Sequence, residues 1–155
     1  MKYLVDANVL SEPTKPSPDP RVVDWLRAHE PDLSVNPVIL GELRFGILVL
    51  PTGKKRTALE RWFDAGAGRL HCLPWDADTG LIWAELLASL RKAGKTMPIK
   101  DSLIAATAIV HSLAVSTRNR IDFAKAGVPV VDPLFLDACR LGRIHRDIIR
   151  TSLRK

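Results

Sequence analysis

Residues 1–12 read MKYLVDANVLSE, and the fold turns on how they are read. Lys2 to Val5 is a short apolar run of strand character, and it ends on a carboxylate, Asp6, followed by small and polar residues and a turn. A lone aspartate at the tip of a buried strand is a turn or helix-cap residue. Several such residues at the tips of neighbouring elements are a site. The rest of the chain decides between the two.

Punctuation and period place the other elements. The stretch 12–29, EPTKPSPDPRVVDWLRAH, begins as a proline-rich loop. Asp19 and Pro20 then stand as N-cap and first helical residue. A short strand around LSV (33–35) follows. Asn36 and Pro37 repeat the cap signal and open PVILGELRFGILVL. A charged helix (54–66), a strand in LHCLP (70–74), an amphipathic helix from Asp76 to Gly94 and an apolar helix beginning at Asp101 come next. AVST (114–117) and VPVVD (128–132) read as the fourth and fifth strands. Strands alternating with one or two helices predict an α/β layered domain with a mostly parallel sheet.

Composition narrows the class. The chain has 155 residues, 46% hydrophobic and 26% charged, which suits one domain with a real core. Cys72 and Cys139 have no pairing pattern and are expected as reduced core residues of a cytoplasmic protein. The N-terminus is neither a signal peptide nor a membrane span. The stretch LIAATAIVHSLAV (103–115) is too short to cross a bilayer. The net charge of +6 is uneven: residues 1–139 carry 17 basic and 16 acidic side chains, whereas residues 140–155 carry six basic residues and only Asp147. From Ala138 onward, apolar residues (Leu141, Ile144, Ile148) and arginines (Arg140, Arg143, Arg146, Arg150, Arg154) form two opposed helical stripes. A basic helical extension over residues 136–155 is therefore expected, either as a face for nucleic-acid phosphates or as a solvated surface.

Most carboxylates have an ordinary place. Asp24, Glu30, Glu60, Asp64 and Glu85 fall on polar helix faces, and Asp19 and Asp76 are caps. Four resist. Asp6 ends the first strand. Glu42 sits in a helix apolar almost all round, which predicts a buried helix and a glutamate in need of a cation. Asp101 stands at the start of the apolar helix, where capping is the competing role. Asp122 follows the fourth strand in STRNRIDF, where a helix-start residue is the plain alternative. In a parallel α/β sheet the carboxyl ends of the strands open on one crevice. Four carboxylates gathered there raise one another's pKa values unless a divalent cation neutralises them. Oxygen ligands suit Mg2+ or Mn2+. The four histidines lack zinc-like spacing, and the chain has no Walker loop, nucleophilic serine motif or GxGxxG. That combination points to metal-assisted phosphodiester hydrolysis.

YLVDANVLSE, LGELRFGI, KDSLIAATAIVHSLAVSTRNRIDF and GVPVVDP occur in that order and together resemble the PIN-domain ribonucleases, in particular the VapC toxins of bacterial toxin–antitoxin pairs. The similarity covers about residues 2–133. It implies a three-layer α/β/α fold over residues 1–135, RNA cleavage with Mg2+ or Mn2+, a homodimer, and a cognate antitoxin over the active site. It implies a catalytic quartet of Asp6, Glu42, Asp101 and Asp122, with Asp6 and Asp101 as direct metal ligands. Thr117 and Asn119 match its supporting polar positions. The chain departs from the pattern at Asn36 and Ile39, where the family often carries small hydroxyl residues, and at Asp132–Pro133, where Asn-Pro is usual. Two rivals remain. A haloacid-dehalogenase-type phosphatase needs a second aspartate where this chain has Asn8. A non-enzymatic nucleic-acid-binding regulator acting through the basic tail would be indifferent to metal.

Overall fold

Five strands of two or three residues build the sheet. The computed structural model describes residues 2–136. The expected basic helix and Cys139 lie outside the described residues. The strands are β1 (Tyr3–Val5), β2 (Leu33–Val35), β3 (His71–Cys72), β4 (Ala114–Ser116) and β5 (Val130–Val131). All pairings are parallel, in the order β3-β2-β1-β4-β5. Tyr3 pairs with both Leu33 and Ala114, so β1 is the central strand. β1, β2 and β4 are buried throughout, as inner strands of a parallel sheet are, with Ser34 and Ser116 buried among their apolar residues.

The chain moves outward from β1 through β2 to β3, then returns to the other side for β4 and β5. The sheet reverses direction between β1 and β4, and in such sheets the crevice opens at that reversal, beyond the carboxyl ends. The helices are α1 (Ala7–Leu10), α2 (Pro20–His29), α3 (Pro37–Leu48), α4 (Lys54–Ala65), α5 (Ala77–Lys92), α6 (Ile99–Val110) and α7 (Arg120–Lys125). The parallel connections run through these helices, which flank the sheet as expected from the sequence.

The cap signals hold in detail. Asp19 accepts from the Arg21 N–H, Asp76 from Thr79 and Asn36 from Ile39. Asn36 does more than cap: it is fully buried, and its amide donates to Thr107 Oγ1 on α6 at 2.9 Å. The helices that carry Glu42 and Asp101 are thus strutted together. Ile39 is wholly buried in the core and contributes packing there. Asp132 accepts from the Leu134 N–H and starts the turn Pro133–Phe135.

Two expectations fail. Helix α3 is not buried all round, since Phe45, Leu48 and Val49 are exposed on its outer side. Apolar composition alone had suggested burial, but within α3 only Ile39, Leu43 and Ile47, at helical spacing, are buried. Cys72 is also exposed, because it lies on the edge strand β3. Trp25 is buried, whereas Trp62 packs against the core from its margin. Among the described residues, no helix is long and apolar enough to cross a membrane.

Candidate active site

The crevice is built where β1 and β4 end side by side. The backbone N–H of Asp6 donates to the Ser116 carbonyl at 2.9 Å, which locks the two strand ends together. The Asp6 side chain is only 4% exposed and does not cap α1. Its Oδ2 accepts from Thr117 Oγ1 at 2.6 Å and from the Asn8 amide at 2.7 Å. Burial pushes its carboxyl up, the Thr117 hydrogen bond holds it down, and the charges of Glu42 and Asp101 push it up again, to about 6. Its hydrogen-bond donors are therefore neutral, and the charges that raise it are those of other carboxylates.

Glu42 comes from α3. It is partly exposed rather than buried, because α3 turns its outer side to solvent. The cation it required is Lys100, whose Nζ stands 2.6 Å from Oε1. Arg44, nearer in sequence, points elsewhere and lies over the Phe63 ring. The Lys100 ammonium also feels Asp101 and Asp6, and Glu42 foremost holds it charged.

Asp101 is the third residue of α6 and does not cap it; Pro98 occupies the cap position. Its carboxylate accepts instead from the Asn119 amide at 2.6 Å. Burial raises its pKa first, and Asp122 adds to the rise. The same Asn119 amide donates to Asp122 at 2.9 Å. Asp122, in α7, departs from the expected mutual rise: Lys125 at 2.6 Å, helped by Asn119, holds it low. Asn119 thus bridges two of the carboxylates, while Thr117 serves a third. Thr117 also accepts from the Asn119 N–H at 3.0 Å, so the supporting pair is one unit.

Three participants escaped the sequence reading. Asn8 reaches Asp6 and Thr117, and its carbonyl oxygen accepts from the Arg118 N–H at 3.2 Å. The position two residues after Asp6 was the available signal. Lys100 meets Glu42 only through the fold, and nothing in its local sequence marks it. Glu12, at the end of the opening block, is 3% exposed and paired with the Arg118 guanidinium and with Lys15. An acid unassigned to any polar helix face was the clue.

The cluster offers carboxylate oxygens and no imidazole or thiolate. That is the donor chemistry of a hard divalent cation. Among the described residues, no three His, Cys, Asp or Glu side chains are drawn close enough to hold an ion as they stand. Lys100, Lys125, Asn119 and Thr117 engage the oxygens instead. The donor set fits such an ion, and Lys100 marks the cluster as a place that draws positive charge.

Comparison with known proteins gives a consistent picture. A family profile described as the PIN domain matches residues 3–129. A protein of Sinorhizobium fredii named VapC ribonuclease Y4jK is 36% identical over 136 residues, covering 84% of this chain and 96% of the relative. The toxin FitB of Neisseria gonorrhoeae is 38% identical over 136 residues with the same coverage. The crystal structure of FitAcB from Neisseria gonorrhoeae superposes with a TM-score of 0.79 at 37% identity, covering 86% of this chain and 99% of that one. The parallel sheet order, the crevice between β1 and β4 and these matches over nearly the whole described chain lead to one assignment: the chain belongs to the PIN-domain family.

Proposed function

We propose that this chain is a divalent-metal-dependent endoribonuclease and the toxin half of a toxin–antitoxin pair. The observation that carries the reading is Asp6, a buried carboxylate whose charged neighbours at the crevice are Glu42 and Asp101. In this reading Asp6 and Asp101 would hold the ion, and Glu42 and Asp122 would complete its surroundings. Mg2+ or Mn2+, when bound, supplies a lowered pKa for water and an electrostatic counterweight for the phosphate. The chain does the rest. Thr117 and Asn8 fix the Asp6 carboxylate in one orientation by two hydrogen bonds. Asn119 holds Asp101 and Asp122 at a set separation. The Asn36–Thr107 strut keeps α3 and α6, and hence Glu42 and Asp101, in register.

Support for the partners comes from the relatives. Solved neighbours include a FitAB complex bound to DNA, 35% identical with a TM-score of 0.79. The exposed apolar residues Phe45, Leu48 and Val49, on the helix that carries Glu42, give an antitoxin a surface beside the crevice. The reading includes a homodimer acting in the cytoplasm, with residues 136–155 as a separate basic extension.

The test is metal removal. Protein treated with EDTA should leave a single-stranded RNA intact, and adding back Mg2+ or Mn2+ should restore cutting. Undiminished cleavage in excess EDTA overturns the proposal.

A further inference from the structure

On the β5 side of the crevice the same sheet edge carries a second hollow, of about 480 Å3. Arg118, Asn119, Arg120, Ile121, Asp132 and Phe135 are among the residues that line it. Its volume falls within the range of about 300–1,000 Å3 that takes small ligands. Three features say what fills it.

The first is continuity. Asn119 lines the hollow and also donates to Asp101 and Asp122. An occupant therefore touches the residue that bridges the carboxylates. The second is charge. An acidic crevice repels phosphate, so a strand that is cut there needs its cationic grip alongside. Arg118 is engaged by Glu12, but the Arg120 guanidinium lies over the Phe135 ring, 5.7 Å from its centroid. The third is the apolar surface. Phe135 is 66% exposed and Ile121 76% exposed, an unusual outlay of apolar area at the mouth of a polar site. An arginine paired with an exposed aromatic ring is the platform on which nucleic-acid bases stack.

We infer that this hollow receives a nucleotide of the RNA strand next to the cleaved phosphodiester, its base against the Arg120–Phe135 pair and its phosphate drawn to Arg120. The inference rests on the ribonuclease reading and adds the path of the strand: from the carboxylates, past Asn119, toward β5. A peptide is disfavoured by the arrangement, since Asp132 already serves the Leu134 N–H and offers a peptide little.

The experiment uses the full chain carrying Asp6→Asn, which stops cutting, and a short fluorescein-labelled single-stranded oligoribonucleotide of mixed sequence. Binding is followed by anisotropy over a range of salt. Phe135→Ala should weaken binding about ten- to a hundredfold, the usual scale for losing one base stack. Phe135→Tyr should restore it. Arg120→Ala should also reduce the slope of log affinity against log salt by about 0.7, one phosphate contact on a single strand. Phe135 and Arg120 are exposed, so neither change threatens the fold. If the parent binds and both alanine variants keep its affinity within twofold, with an unchanged salt slope, this inference falls and the ribonuclease reading stands. If the parent itself does not bind the RNA, both fall together.

Discussion

Asp6 and Glu12 flank the same short helix, α1, and are almost equally inaccessible, at 4% and 3% exposure. Their carboxyls nevertheless move in opposite directions. Burial raises Asp6, its strongest compensation is a single neutral hydroxyl, and two other carboxylates add to the rise. Burial also works to raise Glu12, but Lys15, the Asp19 N–H and Arg118 overcome it and hold the group low. The difference is therefore one of partners and not of depth. Glu12 finds its cations within the fold and ties the loop after β4 to the turn after α1. Among the described residues the Asp6 carboxylate takes hydrogen bonds from neutral donors alone, and on the proposed reading its cation is a bound metal ion. Of this pair, the acid with its own cations serves the fold, and the one held only by neutral donors faces the crevice.

The sharpest way to break that comparison is to neutralise each acid in turn. Asp6→Asn should cut RNA hydrolysis by about two orders of magnitude or more, the scale lost with one preorganised electrostatic group. Its metal-free stability in urea should be equal or higher, because repulsion is relieved. Glu12→Gln should do the reverse. It leaves the Arg118 guanidinium without its carboxylate, so unfolding should become easier by about 1–3 kcal/mol, while Mn2+ binding measured by calorimetry persists. If Glu12→Gln abolishes Mn2+ binding at unchanged stability, the division between the two acids is wrong.

The pH dependence follows from the same pair. Asp6 has its folded pKa raised from 3.8 to about 6. The folded, metal-free protein thus holds this proton more tightly than the unfolded chain does. The stability linked to it is fully present below about pH 4 and is lost as the pH rises through 6, by on the order of 3 kcal/mol. Glu12 has its folded pKa lowered, so its contribution is present above its unfolded value of 4.5 and is lost on acidification. On the proposed reading, a divalent metal held by Asp6 removes that penalty. The rise in melting temperature on adding Mn2+ should therefore be larger at pH 7 than at pH 5. In Asp6→Asn protein that difference should shrink. An equal rise at both pH values in the parent would show that Asp6 is not the group metal relieves.

The sequence carried much of this, and where it failed the reason is physical. Strand positions and the Asp19, Asn36 and Asp76 caps are local patterns: apolar runs and cap chemistry. They survive because each is decided within a few residues. The exposure of α3 was not legible, since whether Phe45 and Val49 are covered depends on what packs there. Capping competed with a site role for Asp101 because it precedes an apolar run, yet the helix starts two residues earlier at Ile99. Its partner Asn119 is reached only across the fold. Lys100 was invisible for the same reason, its meeting with Glu42 being wholly tertiary.

Lys100 also gives the subtlest test of the comparison, because it blurs the line between the two acids. Its ammonium, 2.6 Å from Glu42, partly supplies from within what the Asp6 cluster otherwise takes from outside. Divalent metal must then share Glu42 with it. The Lys100 side chain is 61% exposed, so solvent screens the pair, and it is worth only about 0.2–1 kcal/mol. Lys100→Met should accordingly tighten Mn2+ binding by no more than about two- to fivefold in low salt, and the gain should fade as ionic strength rises. The metal-free protein should lose a little stability, since the carboxylates face one another with less relief. Calorimetric titration of parent and variant at two salt concentrations reads both effects without recourse to activity. Unchanged affinity would make the Lys100–Glu42 contact a surface ion pair with no part in the site. Weaker binding would mean that Lys100 holds Glu42 in place for the metal and does not compete with it, which would put Glu42 beside Glu12 as an acid whose cation is part of its architecture.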